Sequence, residues 1–289
     1  EIYSHIQTLF EEDSSGRFTT LLILESSFEF SSDFYLAKIS EIYNLFQNAL
    51  EDQDFCVRST TSVVITEFCQ FLNPSTIEFD TIITSLISSF SDVPSIEFLT
   101  SLTAIFNIST QTDTFFDQSL TFLMQVLEAE SLDSIFKMNA LDCLSSLTKS
   151  SRERVCAFYD QIFSVMSQIL SDSVDNTNID YIGPAVLTLS NLCESCTSSI
   201  EQFVPTMLEF IMEGINHEEC QFECINGLSA IFEFFTEQAK TAVDQVLNAL
   251  FEIATSEDDQ DGDEDHQDFD ADDDLSDDDV FTFQGQFKS

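Results

Sequence analysis

The stretch EDQDFCVRSTTSVVITEF, residues 51–68, decides the fold. An acidic turn leads directly into Val57 and Arg58, and then into an apolar segment that contains no glycine or proline. The side chains that recur at helical spacing are Val57, Thr61, Val64, Ile65, Phe68 and Leu72. This spacing predicts one amphipathic helix with a basic residue in its first turn.

Apolar stripes of the same kind fill the chain on both sides, and they predict helices that come in pairs. Pro205, within a helix predicted at residues 200–215, is expected to remove a backbone donor and to bend that helix. The second helices of the pairs are predicted to begin near residues 15, 54, 95, 132, 177 and 218. This period of roughly 40 residues, with one longer step at residues 171–180, is typical of an all-α HEAT-repeat α-solenoid. We therefore expect a right-handed superhelix of antiparallel helix pairs with about six to seven repeats.

The composition predicts three consecutive parts. Residues 1–255 are expected to form the solenoid, residues 256–279 a disordered acidic loop, and residues 280–289 the start of a following segment or a tail. The chain opens with Glu1 rather than Met, so we expect a fragment or an incomplete start. No signal peptide is visible, and no apolar run approaches the ~18 residues needed to cross a bilayer.

The net charge of −44 restricts the possible partners. Such a field repels phosphate backbones and anionic lipids, so direct binding of nucleic acid and membrane insertion are disfavoured, and basic proteins are the expected partners. For the acidic tract, residues 256–279, the alternative to partner binding is a solvated linker that only keeps the protein soluble. The candidate partner-binding carboxylates lie in the acidic tract: Asp258, Asp259, Asp261, Asp263, Glu264, Asp265, Asp272, Asp273, Asp274, Asp277, Asp278 and Asp279.

Asp54, Val57 and Arg58 form a D-x-x-V-R pattern that resembles the head of the second helix in a HEAT repeat. In that family the arginine reaches an aspartate of a neighbouring repeat, which implies a structural role here, although contact of Arg58 with a partner stays open. Weaker echoes of the basic position are Arg17 and Lys137.

Motifs for metal binding and catalysis are weak. A C-x2-C and C-x3-C spacing superficially resembles a zinc module, but ordinary packing cysteines on helices explain it better. The repeated D-x-D of the acidic tract lacks the glycine and glutamate of a calcium loop in any one register. Phosphate loops, nucleophile elbows and HExxH motifs are missing from the sequence, so we expect no catalytic residues, no metal and no cofactor. The cysteines concerned are Cys193, Cys196, Cys220 and Cys224, with His217 nearby.

Three segments carry a family resemblance: SGRFTTLLIL (15–24), the stretch from Ile39 to Phe68, and KMNALDCLSSLTKSSRERVCAFYDQIFSVMSQIL (137–170). Together with an acidic tract placed where a short turn into a second helix belongs, they resemble the importin-β (karyopherin-β) family. Solenoids of that family interrupt one repeat with a long acidic loop.

This resemblance implies a nuclear transport receptor that shuttles between cytoplasm and nucleus as a monomer. Such a receptor binds basic cargo proteins through their nuclear-localisation segments, contacts Phe-Gly nucleoporins and responds to Ran-GTP. The alternative is a static HEAT scaffold, such as a phosphatase regulatory subunit, a coat adaptin or a chromosome-organising subunit. The two differ because only a receptor should release its partner to Ran-GTP.

Overall fold

The computed structural model describes residues 2–28, 34–35, 37–71, 79–109, 114–176 and 179–256. Its long helices follow one another in pairs, and we call the odd-numbered members first helices and the even-numbered members second helices. The pairs are α1 (Ile2–Glu12) with α2 (Ser14–Ser27), α3 (Ile39–Leu50) with α4 (Phe55–Phe71), α5 (Asp80–Asp92) with α6 (Ile96–Ile108), α7 (Phe116–Glu128) with α8 (Ser134–Ser150), α9 (Tyr159–Asn176) with α10 (Ile182–Ser195), and α11 (Val204–Gly214) with α12 (Gln221–Phe234), after which α13 (Val243–Ser256) follows.

The second helices form a continuous layer. Each packs along the next from α2 to α12, and each first helix from α1 to α11 packs on the second helix of its own pair. Contacts restricted to a helix's own pair and the neighbouring pairs define a solenoid. The predicted all-α HEAT-type solenoid is therefore confirmed.

The second helices begin close to their predicted positions, with the largest difference at α10. There a 3-10 turn at Ile179–Tyr181 precedes the helix, so α10 starts later than the predicted residue 177. The prediction for Pro205 is wrong. It lies in the first turn of α11, after the helical turns Thr197–Ile200 and Glu201–Phe203. In that turn a missing N–H costs no intrahelical hydrogen bond, so the proline starts the helix and does not bend it.

The opening stretch shows how local chemistry sets a helix boundary. The backbone N–H of Cys56 donates to the Asp54 carboxylate at 2.9 Å, which satisfies one of the free donors at the start of α4. Val57, Val64 and Phe68 are fully buried along the same helix. The helical spacing of these side chains accordingly gives α4 one continuous face in the core.

Phenylalanine rings join neighbouring pairs. Phe68 of α4 makes edge-to-face contacts with Phe46 of its own pair and with Phe28, which follows α2, at centroid separations of 5.3 and 5.7 Å. Phe90 of α5 and Phe122 of α7 make an edge-to-face contact between first helices of the third and fourth pairs, at 5.3 Å. Such geometry stabilises an aromatic pair by about 0.5–1.5 kcal/mol beyond burial alone, which explains part of the use of 30 Phe in this chain.

Two glycines allow helices to approach closely. A Cβ on Gly16 would overlap the backbone carbonyl oxygen of Leu9, so α1 and α2 pack at a distance that only glycine permits. On α12, a Cβ on Gly227 would lie 2.8 Å from Val186 of α10 and 3.0 Å from Ile211 of α11. The spacing of the sixth pair against α10 therefore depends on this glycine.

The chain divides into two compact units, residues 1–247 and residues 248–289. The first unit contains the helix pairs α1 to α12 and the first residues of α13. Within the described residues, none of the helices is both long enough and apolar enough to cross a membrane.

Candidate functional site

Asp52 is the centre of a buried polar cluster between the first and second pairs. Its carboxylate accepts hydrogen bonds from Arg17 Nε, from Ser14 Oγ at 3.1 Å and from the backbone N–H of Asp54 at 2.8 Å. Burial acts to raise the pKa of Asp52, but the hydrogen bonds from Asp54, Arg17 and Ser14 outweigh it, so the net effect lowers the pKa. Only 2% of the Asp52 side chain is exposed, and the cluster is therefore a cross-repeat connection.

Arg58 makes the corresponding connection one repeat further on. Its Nη1 donates to the carbonyl oxygens of Asp52 at 2.8 Å and Gln53 at 3.2 Å, and its Nη2 donates to the carboxylate of Asp92 at 2.8 Å. Asp92 ends α5, the first helix of the third pair. Because the Arg58 side chain is only 10% exposed, its charge interacts with groups of the solenoid and little with solvent.

A third basic group lies in the helical turn Arg152–Val155 that follows α8. Arg152 pairs with Glu194 near the end of α10 at 2.6 Å, and Arg154 pairs with Asp117 at the start of α7 at 2.5 Å. Lys137, the other predicted echo, forms no ion pair with any residue that the structure describes. Arg17 and Arg58 thus form ion pairs between neighbouring helix pairs, whereas Lys137 of α8 forms none with the described residues.

Two acidic residues on the layer of second helices affect one another electrostatically. Glu223 of α12 lies against Gly183 of α10, where a glycine Cβ would be only 3.3 Å from Glu223 Cγ. On the far side of α10, burial and the negative charge of Glu223 raise the pKa of Asp142 of α8. The three residues belong to three successive second helices, and they place an acidic pair on this layer.

Among the described residues, we compare three grooves that lie beside first helices. The largest, with a cavity of about 640 Å³, lies between α1 and α3 and includes Phe10, Leu45 and Asn48 in its lining. A second, of about 530 Å³, lies between α3 and α5 next to Arg58, and its wall carries hydroxyl groups of α5. The third, of about 480 Å³, includes Leu208 and Met212 of α11 together with the residues that precede α13.

The last second helix has an exposed apolar edge. Gly183 and Val186 of α10 face α12, because their neighbours across the interface are Glu223 and Gly227. The residues at the same register positions of α12 are Phe222 and Ile225, which are 72% and 40% exposed. The positions that α10 uses to contact the next second helix are thus occupied in α12 by exposed apolar side chains, within the described part of the chain.

All eight cysteines are free thiols. Cys193, Cys196, Cys220 and Cys224 are buried, as expected for packing residues, and two thiol contacts occur, one between Cys156 and Cys196 and one between Cys220 and Cys224. No group of three or more His, Cys, Asp or Glu side chains among the described residues is arranged to hold a metal ion.

The candidate carboxylates of the acidic tract, from Asp258 to Asp279, lie outside the described residues. Asp142 and Glu223, by contrast, were not singled out from the sequence. One complete helix pair lies between them, which hides their electrostatic interaction in the sequence, and a possible signal is the glycine at position 183, the second residue of α10.

Comparison with known proteins identifies the fold. No family model matches the chain, and no curated protein matches it either. Among solved structures, Kap121p superposes with a TM-score of 0.73 at 15% identity, over 85% of this chain and 24% of Kap121p. Yeast importin-beta (Kap95p) superposes with a TM-score of 0.71 at 13% identity, over 88% of this chain and 33% of Kap95p. The chain therefore has the fold of karyopherin HEAT solenoids and spans between a quarter and a third of their length.

An engineered protein shows how general this fold is. It superposes with a TM-score of 0.65 at 16% identity, over 79% of this chain and 96% of its own length. The solenoid geometry alone thus does not specify transport, and the charged surfaces must carry the functional argument.

Proposed function

We propose that this chain is part of an importin-type nuclear transport receptor that binds basic cargo. The acidic pair of Asp142 and Glu223 on the second helices carries this proposal, because a lysine or arginine that binds near two like charges relieves the repulsion between them. Kap121p, which shares the fold, has been crystallised bound to Pho4p and to Ste12p. Within the importin-β family, the sequence pattern is most like importin-5 and importin-4.

The acidic tract acts in the same binding process. Its carboxylates, from Asp258 to Asp279, form a concentrated negative charge that attracts basic segments and raises their rate of association. This attraction is screened by salt over a Debye length of about 8 Å at physiological ionic strength. Cargo capture by the tract should therefore weaken as salt is added.

The grooves between first helices serve as sites for Phe-Gly nucleoporins. A phenylalanine side chain would contact the apolar groups of such a groove: Phe10 and Leu45 among the polar residues between α1 and α3, and Leu208 and Met212 beside α11. Kap121p has also been crystallised bound to Nup53p. Binding of such repeats would let the receptor pass between cytoplasm and nucleus, and Ran-GTP would release its cargo.

The test measures binding of a fluorescent lysine- and arginine-rich peptide by anisotropy. We expect Asp142→Asn/Glu223→Gln to weaken binding by about tenfold, which corresponds to about 1.4 kcal/mol. Glu128→Gln/Glu130→Gln is the matched control, because it removes the same charge from exposed positions outside the second helices. Equal weakening by both double variants would show that only net charge matters and would remove the acidic pair from the proposal.

A second arm adds GTP-locked Ran to the preformed complex. Release of the peptide supports the receptor. Retention of protein partners regardless of Ran would support the alternative of a static HEAT scaffold.

A further inference from the structure

Two thiols from different helix pairs meet beside the turn that follows α8. Cys156 Sγ donates to the backbone carbonyl oxygen of Ser195 at 3.0 Å, although the two residues are 39 positions apart. The next residue, Cys196, caps the end of α10, and the neighbouring Cys156 thiol contributes to raising the pKa of Cys196. The adjacent ion pair between Arg152 and Glu194 holds the same two segments together.

The two thiols differ in their access to solvent. Cys156 is partly exposed, whereas Cys196 is 3% exposed. Burial, together with the neighbouring Cys156, raises the pKa of Cys196, so this residue stays protonated at neutral pH. An oxidant from solution therefore reaches Cys156 first and finds a second thiol on the residue next to Ser195, whose carbonyl oxygen Cys156 contacts.

We propose that Cys156 and Cys196 form a modification site at which a peroxide-class oxidant produces an intramolecular disulfide. The Cys156 thiolate attacks one peroxide oxygen, the O–O bond breaks, and Cys156 becomes a sulfenic acid as hydroxide leaves. The Cys196 sulfur then attacks the Cys156 sulfur and displaces the hydroxyl group, and its proton leaves with that group as water. Two electrons pass from the thiol pair to the peroxide, and a dithiol reductant reverses the bond.

The disulfide would fix the junction between the fourth and fifth pairs. Cys156 belongs to the turn between α8 and α9, and Cys196 belongs to the turn after α10, so the bond would connect segments now held by a surface ion pair and hydrogen bonds. This inference is independent of the proposed transport function, because it concerns the chemistry of two thiols in the fold.

The other thiols provide internal comparisons. Cys220 and Cys224 are also in contact, but both are buried and lie only four residues apart, so their pairing would join no separate segments. Cys56 is exposed at the start of α4 and reports the reactivity of an accessible thiol. Selective reaction at Cys156 and Cys196 would thus be distinguished from general oxidation.

The experiment treats the reduced full chain with hydrogen peroxide, alkylates the remaining thiols and maps the peptides by mass spectrometry. Trypsin is unsuitable because residues 155–240 contain no lysine or arginine before Lys240. Cleavage after aspartate and glutamate places Cys156, Cys193 and Cys196 on three separate peptides, because Asp160 and Glu194 divide them.

We expect a linked peptide pair that contains Cys156 and Cys196, with the mass loss of two hydrogens, and we expect dithiothreitol to remove the link. Cys156→Ser and Cys196→Ser should each abolish it, and Cys56→Ser should leave it unchanged. Oxidation that stops at a sulfinic acid on Cys156, a link to Cys193, or reaction at Cys56 alone would overturn the proposal. The three contrary outcomes are all measured on the wild-type chain. The test therefore does not depend on whether a cysteine variant folds.

Discussion

Replacement of Asp52 by asparagine should destabilise the solenoid much more than the same change at Asp92. Both aspartates pair with an arginine of the preceding helix pair, but the exposed fraction of the side chain is 2% for Asp52 and 70% for Asp92. Removing one member of a buried ion pair costs about 3–5 kcal/mol. The Arg17 side chain is 27% exposed, so water can partly replace the lost carboxylate as its partner. We therefore expect Asp52→Asn to lower the free energy of unfolding by about 2–3 kcal/mol. For Asp92→Asn we expect less than about 1 kcal/mol.

The pH dependence gives this prediction a second readout. The folded state lowers the pKa of Asp52, so its ionised form stabilises the fold. This stabilisation is fully present above the unfolded pKa of about 3.9 and is lost as the pH falls through the lowered folded value. The difference in stability between the wild type and Asp52→Asn should therefore be constant near neutral pH and should narrow below about pH 4.

Urea unfolding followed by far-ultraviolet circular dichroism measures both variants at neutral and acidic pH. Comparison with wild type at each pH removes the contribution of the many other carboxylates, which are common to both proteins. The reasoning is refuted if Asp52→Asn and Asp92→Asn cost the same, or if the cost of Asp52→Asn is unchanged by acid.

Three further outcomes follow from the packing. Gly227→Ala should destabilise by about 1–3 kcal/mol in thermal unfolding, because the new Cβ would lie 2.8 Å from Val186 and 3.0 Å from Ile211 inside the core. Gly183→Ala meets only the flexible Glu223 side chain at 3.3 Å and should cost less than about 1 kcal/mol, so equal melting temperatures for the two variants would contradict the argument. Phe222→Ser should reduce the binding of a hydrophobic dye such as ANS and leave the melting temperature within error, since its side chain is 72% exposed.

The fold was predictable because solenoid contacts are local. Each pair packs on its own helices and on adjacent pairs, so the period of the apolar stripes already contains the architecture. The start of α10 was the least accurate position, since the 3-10 turn at Ile179–Tyr181 displaces it. Pro205 was misplaced because a proline near the N-terminus of a helix and a proline within it look alike when the helix boundary is uncertain by one turn.

Details of the polar connections were less accessible. The acidic turn EDQD contains two aspartates, Asp52 and Asp54. Both precede Arg58 by a few residues, so the sequence does not show that their structural roles differ. Asp54 caps α4, whereas Asp52 points to the preceding pair and accepts from Arg17. Arg58 in turn reaches forward to Asp92, which ends a helix and is separated from it by 34 residues. Which carboxylate meets which arginine depends on how two turns are placed in space, and a one-dimensional pattern does not specify this.

The acidic pair on the second helices could not be predicted from the sequence either. Asp142 and Glu223 belong to pairs separated by a complete helix pair, and Glu223 lies against Gly183 of the intervening helix α10. A larger residue there would occupy the space that the Glu223 side chain fills. The Glu223 carboxylate is packed beside α10, where its charge raises the pKa of Asp142, and a count of carboxylates does not show this. A charge count favours basic partners in general, whereas the packing of α8, α10 and α12 defines the particular surface at which we propose that they bind.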